Sequence, residues 1–126
     1  MLVIDDDVTV RTVLGRALRR AGYEVSEAPD AHIGLRLLAA HTFDLALVDI
    51  FMPGQGGLAT IQQMRGQWPT LKILAMSGAD RADMAAHSRA VGANGFLKKP
   101  FEAQTLLSTI VALLQAPPPP PSSVIP

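Results

Sequence analysis

The chain has 126 residues, with 11 acidic and 11 basic side chains, no formal net charge, 48% hydrophobic residues and no cysteine. That length supports one domain with a real core. The charge balance gives no broad reason for a nucleic-acid backbone or an anionic membrane to be the main partner, and the lack of cysteine excludes a disulfide framework or a Cys-based zinc site and agrees with a cytoplasmic location.

Met1 runs straight into Leu2-Val3-Ile4 and three aspartates, without the basic start and apolar run of a signal peptide, and no stretch reaches membrane-spanning length. Leu2–Ile4 is the first predicted strand. Starting at the initiator methionine, it has little room to pair at its outer end, so the chain reads as trimmed or as having a shifted start. Asp7 is expected to cap, or nearly cap, a helix beginning at Val8, in which Val10, Val13, Leu14, Ala17, Leu18 and Ala21 recur at three- and four-residue steps. Glu24–Ala28 is a second strand, and Ala31, Leu35 and Leu38 mark a shorter helix. Leu45–Ile50, a helix over 57–67 followed by Trp68, Lys72–Met76, a helix over 81–91, Gly95–Lys98 and a helix over 102–115 complete the set. The last helix carries Leu106, Ile110, Val111 and Leu114 on one face.

Strict alternation of strand and helix predicts right-handed crossovers and a doubly wound α/β fold, five parallel strands covered by five helices. It also accounts for Leu45-Ala46-Leu47-Val48 being apolar without alternation. The domain spans 1–115. Residues 116–126, with prolines at 117 to 121, cannot extend the helix and read as a proline-rich linker or disordered tail rather than a docking motif. No internal repeat is present.

In such sheets ligands sit at the carboxyl ends of the strands. The first strand ends in Asp5-Asp6-Asp7 and the third in Asp49, before Ile50-Phe51-Met52-Pro53-Gly54. As neighbours, these strands would bring carboxylates into one crevice, where like charges raise one another's pKa unless a cation sits among them. Hard oxygen ligands at an open strand end suit Mg2+; Ca2+ fits less well, because the looping carboxylate spacing of a calcium hand is missing. The plainer alternative is that each acid caps a helix, but no helix start directly follows Asp49. Ser77-Gly78 ends the fourth strand and Lys98-Lys99-Pro100-Phe101 follows the fifth. Singly these are a turn residue and solvated charges; together with the acids they supply the donor and cation that phosphoryl transfer to an aspartate needs.

In order, spacing and loop chemistry, Leu-Val-Ile-Asp5-Asp6-Asp7, Asp49-Ile-Phe-Met52-Pro53-Gly54, Met-Ser77-Gly and Lys99-Pro100-Phe101 resemble the successive signatures of response-regulator receiver domains, over about residues 2–115. The resemblance implies a flavodoxin-like, chemotaxis-regulator-like sheet of order 2-1-3-4-5. It implies that Asp49 is the phosphoacceptor, that Asp6 binds Mg2+ directly and Asp5 mainly through water, that the Phe51 backbone carbonyl is a further ligand, and that Ser77 and Lys99 contact the phosphoryl group. Lys99 is preferred to Lys98 because the family's lysine directly precedes the proline, and that Lys-Pro bond is often cis. The switch implied pairs Ser77 with Phe96, with readout through helix four, strand five and helix five. Phe96 lacks the phenol hydroxyl of many members, and Phe51 and Ala79 stand at positions that tune the lifetime of the phosphorylated state. The partners implied are a histidine kinase or phosphotransfer protein, an output domain beyond the proline tail, or a second copy through the helix four to helix five face. Such a chain is a self-phosphorylating and self-dephosphorylating switch rather than a turnover enzyme.

Two other readings stay open from sequence. Asp5-Asp6-Asp7-Val8-Thr9-Val10 also resembles the nucleophile motif of haloacid-dehalogenase-like Mg-dependent phosphatases, though that leaves Asp49 unexplained and offers no cap in so short a chain. A phosphorylation-independent interaction module of the same fold is the other. His32, His41 and His87 fall in or beside helices and read as solvated surface residues without a carboxylate to orient them.

Overall fold

A computed structural model describes residues 1–51, 56–78 and 83–116. Met52, Pro53, Gly54, Ala79, residues 81–82 of the expected fourth helix, and the proline stretch 117–126 lie outside the described residues. Within them, strands β1 (Leu2–Ile4), β2 (Ser26–Ala28), β3 (Leu45–Asp49), β4 (Lys72–Ser77) and β5 (Gly95–Lys98) alternate with helices α1 (Val8–Arg20), α2 (Ala31–Ala40), α3 (Gly57–Gln67), α4 (Met84–Ala90) and α5 (Ala103–Gln115). The sheet is parallel throughout, in the order β2-β1-β3-β4-β5. This is the expected flavodoxin-like arrangement.

The boundaries shift where pairing, rather than residue type, sets the limit. β2 is an edge strand that pairs only with β1, from Leu2↔Ser26 to Ile4↔Ala28, so Glu24 and Val25 are left out of the strand. β3 stops at Asp49, although the Ile50 amide still donates to the Met76 carbonyl at 2.8 Å. β4 runs one residue further than expected because Ser77 pairs with Lys98. Asp7 caps α1 as expected, its Oδ1 accepting from the amides of Thr9 at 2.8 Å and Val10 at 3.3 Å.

Two cores fill the two faces of the sheet. Leu2, Ile4, Ala46, Val48, Ile73 and Ala75 face α2, α3 and α4; Val3, Leu45, Leu47, Leu74, Met76 and Leu97 face α1 and α5. β1, β3 and β4, the inner strands, therefore contribute to both, which is why β3 and β4 are buried at every position. Three residues expected on buried helix faces are exposed: Val13 at 61%, Val111 at 42%, and Ala21, which is the C-cap of α1 rather than part of the helix. The buried stripes run through Leu14 and Leu18 on α1 and through Leu106 and Ile110 on α5; at about 100° per residue, Val13 and Val111 each stand one step off them.

Two glycines are fixed by close approach. A Cβ on Gly57 would collide with the backbone of Ile50 and lie 2.7 Å from the Asp49 carbonyl oxygen, so α3 begins directly against the end of β3. Gly92 has φ 118°, and a Cβ there would meet Arg65 at 2.7 Å. Arg65 locks the turn after α4 to the end of α3, donating to the carbonyls of Gly92, Trp68 and Pro69 and to Asn94 Oδ1.

Candidate functional site

The carboxyl ends of β1 and β3, with the segment after β5, form a crevice of about 330 Å3 lined by Asp5, Asp6, Asp7, Asp49, Phe51, Gly78 and Lys99. Strand periodicity explains the company. Asp5 continues the series of Val3, and Asp49 that of Leu45 and Leu47, while Lys99 follows Leu97; all three sit past the α1/α5 face of the sheet. Lys98 has the opposite parity and is exposed. The Lys99 amide donates to the Ser77 carbonyl at 2.8 Å, prolonging the ladder one step beyond β5, and the Lys99–Pro100 peptide is cis.

Asp5 is fully buried and all its polar atoms are engaged. Its amide donates to the Ala28 carbonyl at 3.1 Å, its carbonyl accepts from an Arg11 guanidinium nitrogen at 2.7 Å, Oδ1 accepts from the Asp7 amide at 3.0 Å, and Oδ2 accepts from Lys99 Nζ at 2.7 Å. Lys99 Nζ also lies 3.6 Å from Asp49 Oδ2, so one ammonium stands between two buried carboxylates. The Asp49 Oδ1 accepts from the Phe51 amide at 3.2 Å. Burial pushes the Asp49 carboxyl up to about 6, and Asp5 and Asp6 push the same way, while Lys99 and the Phe51 amide pull it down. The acid cluster thus holds more negative charge than its single lysine neutralises.

A divalent cation fits that imbalance. One carboxylate oxygen from each of Asp5, Asp6 and Asp49 lies within 4.8 Å of the others. Oxygens on one Mg2+ stand up to about 4 Å apart, and the ion usually keeps several waters, so a small closure or an intervening water accommodates it.

The other expected residues are distributed less directly. Ser77 is fully buried at the end of β4 and does not line the crevice. By strand parity it belongs with Ile73 and Ala75, on the face where Phe96, opposite Ala75, packs against the core under α2, α3 and α4; the expected switch pair therefore shares one face. Phe51 is 45% exposed at the rim. The three histidines are exposed as expected, but His87 does have a carboxylate neighbour, with Nε2 3.5 Å from Asp83 Oδ2. Both side chains are more than half solvated, so the pair is worth little. Sequence reasoning missed Arg11 and Gly57: an arginine on an amphipathic helix reads as a solvated charge, and a glycine at a helix start as a cap.

The family model described as "Response regulator receiver domain" matches residues 1–111. The DNA-binding transcriptional regulator NtrC of Rhizobium meliloti is 35% identical over 117 residues, 93% of this chain and 24% of that protein. Response regulator MprA of Mycolicibacterium vanbaalenii is 36% identical over 115 residues, 91% of this chain and 50% of that protein. The crystal structure of the receiver domain of NtrX from Brucella abortus superposes with a TM-score of 0.88 at 30% identity, covering 92% of this chain and 98% of that one. The chain belongs to the response regulator receiver-domain family and is a signalling domain of the two-component type. It spans about a quarter to a half of the curated relatives it matches. Among the described residues no helix is long and apolar enough to cross a membrane.

Proposed function

We propose that this domain takes a phosphoryl group on Asp49 from a phosphohistidine of a histidine kinase or phosphotransfer protein, in a Mg2+-dependent reaction, and relays the change to a partner surface. The observation that carries the reading is Asp49 itself: a buried carboxylate at a strand end, 3.6 Å from Lys99 Nζ and within a three-carboxylate cluster. Asp5, Asp6, Asp49 and the Phe51 carbonyl would hold Mg2+, which when bound supplies positive charge for the phosphoryl oxygens.

An Asp49 carboxylate oxygen attacks phosphorus. The new P–O bond forms as the P–N bond to the donor imidazole breaks, the electron pair stays on the imidazole nitrogen, and that nitrogen takes up a proton. Lys99 neutralises the incoming charge, moving its contact from Asp5 toward the phosphoryl oxygens. Ser77 donates its hydroxyl to the same group, and Phe96, on the same face, follows it inward.

The haloacid-dehalogenase-like alternative needs Asp5 as the nucleophile. Asp5 is held at every polar atom and its Oδ2 is paired with Lys99, which does not favour attack. A purely phosphorylation-independent module leaves the acid cluster and its lysine without a role.

Because the matched relatives extend well beyond this region, and one is named a DNA-binding transcriptional regulator, the proposal includes an output domain beyond the proline-rich stretch 116–126. A homodimer through α4, β5 and α5 is the other readout, with cytoplasmic action and no direct nucleic-acid or membrane contact by residues 1–115.

The test is incubation with acetyl phosphate, with and without Mg2+, followed by intact-mass measurement on wild type and Asp49→Asn. A Mg2+-dependent gain of one phosphoryl group, absent in Asp49→Asn, is expected. No adduct supports the phosphorylation-independent module, and phosphate release that persists in Asp49→Asn but stops in Asp5→Asn supports the phosphatase.

A further inference from the structure

Three of the four polar contacts of Asp5 come from its own turn, the neighbouring strand and the catalytic lysine. The fourth comes from α1: an Arg11 guanidinium nitrogen donates to the Asp5 carbonyl at 2.7 Å. The same guanidinium is turned by a second partner, since Arg11 Nε lies 3.7 Å from Glu27 Oε1 on β2. Glu27 is itself braced from further along α1, where Arg19 reaches its Oε2 at 3.2 Å. The Arg11 side chain is only 15% exposed and that of Glu27 27%. A chain of contacts therefore runs from the edge strand, through one planar side chain, to the backbone of a residue in the acid crevice.

We propose that Arg11 is a positioning residue for the crevice: oriented by Glu27, its guanidinium holds the Asp5 main chain so that the Asp5 carboxylate faces Asp49 and Lys99. The inference rests on the reading of Asp5, Asp6 and Asp49 as a cation site and adds a component to it. Holding a carboxylate close to two others is electrostatically unfavourable without the cation, so the turn carrying it must be fixed by bonds that do not depend on the cation. Asp5 is the last residue before the β1–α1 turn, where the strand ladder ends, and its carbonyl takes its bond from a side chain instead of a strand. A planar fork suits this task, because Nε can face Glu27 while a terminal nitrogen faces the carbonyl. Partners one layer behind metal ligands typically change metal affinity by ten- to a hundredfold when removed.

Charge and geometry predict opposite results, which makes the inference testable. Deleting a positive charge beside a cation pocket, with nothing else altered, tightens cation binding; loosening Asp5 weakens it. Mg2+ is titrated by calorimetry into the full chain as wild type and as Arg11→Gln, each confirmed folded by circular dichroism at the working temperature. Affinity about tenfold weaker in Arg11→Gln is the expected result, and affinity equal to or above wild type overturns the inference while leaving the cation site standing. A wild type that takes up no Mg2+ overturns the site and the inference together. If Arg11→Gln does not fold, Arg11→Lys keeps the charge and loses the fork: weakened binding supports positioning, and unchanged binding overturns it.

Discussion

Asp49 is the residue on which opposing effects meet. Its carboxyl is raised from 3.8 to about 6, with burial the largest cause. An acid that holds its proton more tightly when folded favours folding in its protonated form. The contribution is therefore fully present below about pH 3.8 and lost as the pH rises through about 6. Above that, the charged carboxylate is a standing cost of about 2 kcal/mol, reduced from the full shift because the crevice opens to solvent. Asp49→Asn is accordingly expected to stabilise the metal-free domain at pH 7 by about that amount, with the gain shrinking toward pH 4; urea denaturation midpoints across the range provide the check. Lys99 acts in the other direction. Lys99→Met leaves Asp5 and Asp49 without their shared ammonium and should destabilise the metal-free domain by about 2 kcal/mol. Addition of Mg2+ should then raise the melting temperature more in Lys99→Met than in wild type, because a cation replaces the lost charge.

At the scale of elements, the strand ends and the helix starts are built against each other. α3 begins so close to β3 that Gly57 donates its amide to the Ile50 carbonyl at 2.9 Å and has no room for a methyl group. Gly57→Ala should cost about 2 to 3 kcal/mol, since backbone rather than a flexible side chain must move. Because the backbone in question includes Asp49, the same change should slow acetyl phosphate labelling even at temperatures where the variant is fully folded, which intact-mass time courses would show. An unaltered labelling rate would mean that α3 can shift without carrying the end of β3 with it. The residues α3 contributes to the core, Ile61 and Met64, are fully buried, so the helix has little freedom to retreat.

For the whole molecule, the fold gathers charge at one end of the sheet and relieves it only in part. A ligand that binds the folded state alone stabilises it by about 2.7 kcal/mol at a hundredfold excess over its dissociation constant. Mg2+ at that excess should raise the urea midpoint of wild type accordingly, a chelator should reverse the effect, and Asp6→Asn should largely abolish it. The unfolded chain has no such cluster, since Asp5 and Asp49 are brought together only by the β1–β3 pairing, Ile4↔Val48.

The sequence by itself determined the alternation of strands and helices, the parallel sheet and the residue types that stand at the strand ends, because periodicity and residue type are local properties. It placed Asp5, Asp6, Asp49 and Lys99 at strand ends, where strand parity sets Lys99 beside Asp5 and Asp49 and turns Lys98 the other way. Only the tertiary structure decided what depends on neighbours distant in the chain. β2 is limited to three residues by its single partner, Val13 and Val111 face outward because packing fixes each helix's rotation, Ser77 is fully buried at the end of β4, and Arg11 reaches the Asp5 backbone. None of these could be read from local pattern, since each follows from the geometry by which separate elements fit together.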